Sequence, residues 1–91
     1  MIKIPKNYKL VLIEWVDSYG VGSQWESLDN IQDEQHINYS AGWLVGNGKN
    51  VKVIVPHIQP EHSEIDAELM GCGDMAIPVQ AIIKISELKI K

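Results

Sequence analysis

The 91-residue chain has no phenylalanine, no arginine and one cysteine. Without arginine, the usual bidentate clamp for phosphate or carboxylate is missing. Cys72 alone cannot close an intrachain disulfide, which fits a reducing compartment. No apolar run approaches the roughly 20 residues of a membrane span. The opening residues Met1-Ile2-Lys3-Ile4-Pro5 lack the apolar core and cleavage site of a signal peptide. The expectation is a cytoplasmic protein with no membrane partner. Eight lysines face twelve acidic residues, for a formal charge of −4. That argues against broad binding to nucleic acid, which depends on neutralising phosphates. It still allows a small anion held by a local lysine and backbone N–H groups.

What the chain does have is three tryptophans, Trp15, Trp25 and Trp43, each beside small or polar residues. An indole is a large stiff surface with one N–H donor, suited to a core corner or to stacking on a flat ligand. The length allows one small domain, residues 1–91, with a modest core that oligomerisation would enlarge.

The apolar pattern is that of short strands. Lys9 to Asp17 reads as a first strand, apolar on both faces over part of its length, as in a barrel or a subunit interface. The Gly-rich stretch from Asp17 to Ser23 breaks it. Ser23 to Glu34 is the segment expected to hold a short helix or irregular turn, with Leu28 and Ile31 as its apolar contacts. Ile37 to Val45 reads as a second strand. Ile37, Tyr39, Ala41, Trp43 and Val45 share one face, and Asn38, Ser40, Gly42 and Leu44 the other. Gly42 in mid-strand points to a bulge, a bend or a close backbone approach. Asn47-Gly48 predicts a tight hairpin with positive φ angles. A third strand follows from Val51 to about His57. After an acidic connection, where Glu61 to Leu69 has room for helical turns, a strand ending near Gly71 to Asp74, another over Met75 to Ile77 and a last one over Ala81 to Ile85 complete the set. Pro78 is expected to end its ladder in a short turn. The fold class is mainly β: a small, strongly bent antiparallel sheet or barrel of about five strands with one short helix or turn. Closure into a barrel would also remove exposed strand edges.

Several residues are candidates for chemistry. Trp15 and Trp43 either pack as core or interface residues on facing strands, or stack on a base. Trp25, outside the expected strands, is the better candidate for a mouth or partner surface. Asp17 either accepts turn N–H groups or joins Ser18 on a ribose hydroxyl or base edge, with Tyr19 beside them. The following loop lacks the Gly-Lys-Ser/Thr ending of a phosphate-binding loop. Lys49, Lys52 and Lys84 are the available cations, either solubilising or lining an anion site. His36, His57 and His62 with the acids of the 61–68 connection have the right ligand types for a metal but no recognisable spacing, so no metal is expected. No signature orients Cys72 with a histidine, and the acids cluster on connections, so no catalytic residue and no cofactor are expected.

The frame Trp15-Val16-Asp17-Ser18, Trp25-Glu26, Ser40-Ala41-Gly42-Trp43-Leu44-Val45 and Ile77-Pro78, followed by Ile82, Ile83, Ile85 and Leu88, is similar to small uncharacterised bacteriophage proteins. Its ending resembles the closing strands of Sm-like or Src-homology-3-like small barrels. The resemblance implies a phage protein made in an infected bacterium. Some such proteins act as oligomeric sponges that sequester cyclic nucleotide or cyclic ADP-ribose immune signals. The expected function is thus a non-enzymatic, homo-oligomeric anti-defence protein binding a small nucleotide through Trp15, Asp17, Ser18, Tyr19, Trp25, Gly42, Trp43 and Lys49. The alternatives are an oligomeric protein-interaction or structural module with no small ligand, or an Sm-like RNA binder.

Overall fold

A computed structural model describes residues 8–18, 25–30, 35–59 and 69–89. The first strand, β1, spans Lys9–Asp17, and β2 spans His36–Asn47. Then come β3 (Val51–Val55), β4 (His57–Gln59), β5 (Met70–Cys72), β6 (Met75–Pro78) and β7 (Ile82–Glu87). Two single 3-10 turns, Leu28–Asn30 and Val79–Ala81, are the helical elements among the described residues. The main sheet is antiparallel, with strand order β6-β3-β2-β1-β7; β4 and β5 form a separate two-stranded sheet. The protein is mainly β, as its sequence pattern indicates. The sheet does not close into a barrel: β6 and β7 are its edges and do not pair with each other. Pro78 ends β6 on that edge, where a missing N–H costs no ladder bond.

The third strand of the sequence reading is divided in two. Pro56 separates β3 from β4, and β4 leaves the main sheet to pair with β5. The helix expected within Ser23 to Glu34 is reduced to the turn at Leu28–Asn30. The helical turns expected over Glu61 to Leu69 fall almost wholly outside the described residues.

The hairpin between β2 and β3 is where Asn47-Gly48 predicted it, but its corner is shifted. Asn47 pairs with Lys52, and the Gly48 N–H donates to the Val51 carbonyl at 3.1 Å. The ladder therefore runs through Gly48 and Val51, and Lys49-Asn50 turn the corner. Gly48 does not take a positive φ; among the described glycines Gly73 does, at 78°. Gly73 sits between β5 and β6, in a conformation that other residues rarely adopt.

The core lies on one face of the sheet. Val11, Ile13, Ile54 and Ile77 are buried together, with Trp15, Leu44, Ala81 and Ile82 packed against them. Residues directly opposite in an antiparallel pair share a face. The register Val11↔Gly42, Ile13↔Ser40 and Trp15↔Asn38 thus puts Asn38, Ser40, Gly42 and Leu44 of β2 on the core side. The more apolar set, Ile37, Tyr39, Ala41, Trp43 and Val45, faces outward.

The cause is a sharp bend. A Cβ on Gly42 would lie 2.8 Å from the Val55 carbonyl oxygen, below any ordinary contact. β3 crosses that close because Gly42 has no side chain. A register shift between Leu44 and Gly46 leaves Val45 as the extra residue of a bulge, which tightens the turn of the strand. The concave side of a bent strand has room only for small groups. Ser40 and Gly42 supply them.

Candidate functional site

The three tryptophans divide by position. Trp15 lies on the core side, and its indole Nε1–H donates to Ser40 Oγ at 3.0 Å. The bond is a diagonal one, since Ser40 stands opposite Ile13, two residues before Trp15. It satisfies a donor that would otherwise be costly to bury. Trp43 lies on the outer side, opposite Leu10 on β1 and Val55 on β3. Its Nε1 is buried and has no hydrogen-bond partner. The two do not meet across facing strands, because one sheet lies between them. Trp25 is fully exposed at 101%, and Leu28, three residues on, is 84% exposed.

The remaining candidates separate along β2. Asp17 pairs with His36 at one end of the β1–β2 ladder. Lys49 belongs to the hairpin at the other end, beyond Asn47. Twelve residues of strand span up to about 35 Å. One copy therefore does not bring Lys49 to Asp17 and Ser18. Gly42 is buried in the bend of β2 and offers no surface to a ligand. Tyr19 lies outside the described residues. Of the other cations, Lys52 donates from Nζ to Asn47 Oδ1 at 2.5 Å, which ties it to the hairpin. Lys84 stands opposite Glu14 on the outer face.

Among the described residues, no group of three or more His, Cys, Asp or Glu side chains is placed to hold a metal ion. The fold does make one pairing that sequence reasoning missed: His57 stands directly opposite Cys72 in the β4–β5 ladder. The Cys72 thiol is free and exposed. Only the split of the third strand at Pro56 reveals this register. No helix among the described residues is long and apolar enough to cross a membrane.

The structure offers a two-sided sheet whose outer face is itself apolar. Along β2, Ile37 is 47% exposed, Tyr39 64% and Val45 39%. Flanking them on β1 are Leu10, Leu12 and Val16, all half-buried. Part of this face is covered. Val55 is buried although it lies outside the core cluster. β5 lies over it, with a Cβ on Gly71 only 3.5 Å from Val55 Cγ1. Among the described residues, nothing comparable covers the Ile37–Tyr39 end. It is one of the apolar surfaces of the sheet open to solvent.

These features define a class: a small mainly-β protein built on one open, bent five-stranded antiparallel sheet with a second, smaller sheet. No family model matches the chain, and neither the curated proteins nor the solved structures contain a significant match to it.

Proposed function

We propose that the protein is a non-enzymatic, cytoplasmic interaction module that works as a homo-oligomer through the outer face of its sheet. The observation that carries this reading is the exposure of Ile37, Tyr39 and Val45 on the outer face of β2. Monomeric proteins rarely leave such faces contiguous and bare. From Ile37 to Gly48 the chain has no charged residue, in a protein that is otherwise acidic. An uncharged apolar strip suits a protein surface better than a phosphate backbone.

The second reading is a phage nucleotide sponge, the function implied by the resemblance. A fully exposed indole at Trp25 favours it, since base stacking on an aromatic is worth about 1–3 kcal/mol. In that reading the pocket forms between copies, because Lys49 and Asp17 of one copy stand at opposite ends of β2.

Native mass spectrometry tests both. At micromolar concentration the expected species is a dimer or larger. A monomer persisting to tens of micromolar overturns the oligomeric reading. Adding a panel of cyclic nucleotides and ADP-ribose derivatives then separates the two: bound ligand favours the sponge, and an empty oligomer favours the interaction module.

A further inference from the structure

The two-stranded sheet of β4 and β5 has one side against the protein and one side in solvent. Its register pairs Ile58 with Gly71. A Cβ on Gly71 would lie 3.5 Å from Val55 Cγ1, and Ile58 is half-buried. That side faces the main sheet. Opposite residues share a face and successive ones alternate. His57, Cys72, Met70 and Gln59 therefore share the solvent side. All four are exposed, Met70 at 54%. The chain's one cysteine thus stands with one of its three histidines and one of its three methionines. Cysteine and methionine are among the residues most often buried. Here both sulfur groups lie on the solvent side of a three-residue strand, so packing does not account for them.

We propose that His57, Met70 and Cys72 form a three-donor site for a soft monovalent metal ion, Cu(I). This reading is independent of the oligomeric one. The register supplies the geometry. Directly opposite residues have Cβ atoms about 4.5–5.5 Å apart, so His57 and Cys72 can hold one ion between them. The His57 ring leans toward β5: its Cδ2 lies 3.9 Å from the position a Gly73 Cβ would take. Met70 stands two residues along from Cys72 and diagonal to His57. Diagonal neighbours are about 7–8 Å apart, and the three rotatable bonds of methionine let its Sδ close that distance. The frame is braced on both sides. The turn after Cys72 has Gly73 at a φ of 78°, and a Cβ there would lie 3.1 Å from the Pro56 ring. The chemistry selects the ion. Thiolate and thioether sulfurs are soft ligands that favour Cu(I), and imidazole suits copper too. Structural zinc instead takes four ligands from thiolate, imidazole and carboxylate. Among the described residues no such group of even three is placed to hold a metal. The Met70 thioether is what completes the set. Binding deprotonates Cys72 and releases that proton to solvent. The thiolate charge then neutralises the ion, and no electron is transferred.

The test is anaerobic titration of the full chain with Cu(I), using bicinchoninate as the competing chelator. One Cu(I) per chain is expected. Losing even an outer-shell partner costs a metal site about 10–100-fold in affinity, so Cys72→Ser, His57→Ala and Met70→Leu should each weaken binding at least roughly tenfold. Gln59→Ala, on the same face but without a soft donor, should bind as the parent does. All four positions are exposed, so circular dichroism of the variants should match the parent. A second measurement needs no variant: on adding Cu(I), the Met70 methyl resonance should shift while that of Met75 stays in place. A parent that takes no Cu(I) from the chelator overturns the proposal. Met70→Leu binding as tightly as the parent also overturns it, because the metal is then an adventitious ion only, held by a surface thiol. So does a Met70 methyl resonance that does not move in the copper-loaded parent, whether or not any variant folds.

Discussion

The two faces of this sheet differ in what their residues are free to do. At the centre of the inner face the large groups are engaged: Ile13 is 0% exposed and Ile77 1%, and the Trp15 N–H has its acceptor. On the outer face, Trp43 keeps a buried N–H with no partner, and Tyr39 and Ile37 stand half in water. The inner face is a finished core. The outer face has the composition of a core without its packing. The lesson is that hydrophobic content alone does not say which side of a strand is the inside. Here the side with the smaller, more polar residues is buried because β3 bends over it.

The contrast can be broken most strongly in the core. Ile13→Ala should destabilise the fold by about 3 kcal/mol, as expected for a fully buried isoleucine. Ile37→Ala on the outer face should change the stability of an isolated copy by less than about 1 kcal/mol. Urea unfolding at sub-micromolar concentration, with the slope held constant, reads both. Comparable losses at the two sites would mean that the faces do not differ.

The bend itself is the next target. Gly42→Ala places a methyl group against the Val55 backbone, and backbone yields less readily than a side chain. The expected cost is about 1–3 kcal/mol, read as a lower urea midpoint. An unchanged midpoint would show that β3 does not need the close approach.

The smallest and sharpest comparison is between the tryptophans. Trp15→Phe loses the bond to Ser40 and should cost about 1 kcal/mol beyond the lost area. Trp43→Phe removes an unpartnered donor and should be near neutral, or stabilising by a few tenths of a kcal/mol. Paired thermal melts measure the difference. Equal losses would mean that the Trp43 N–H is satisfied in solution, by a partner or by water.

Much of the architecture was legible beforehand. The first strand, Lys9 to Asp17, has the bounds that its apolar run indicates. The hairpin near Asn47-Gly48 (its corner two residues further on, at Lys49-Asn50), the stop at Pro78 and the special role of Gly42 are local signals and were read from local residues. The candidate site was far less legible. Trp15, Asp17 and Lys49 look like one constellation in sequence, yet the length of β2 puts the hairpin and Asp17 at opposite ends of the sheet. His57 and Cys72 look unrelated, yet the fold makes them cross-strand neighbours.

By itself the sequence determined that this protein would be a small β fold, where most of its strands lie, and that β2 would have two unlike faces. Alternation guarantees two faces because successive side chains point opposite ways. It does not say which face turns inward. Only the tertiary structure decided that, through the crossing of β3 at Gly42 and the bulge at Val45. With that crossing set, Trp15 took the core and its hydrogen bond, and Trp43 took the outer face. Tyr39 and Ile37 were left open to solvent.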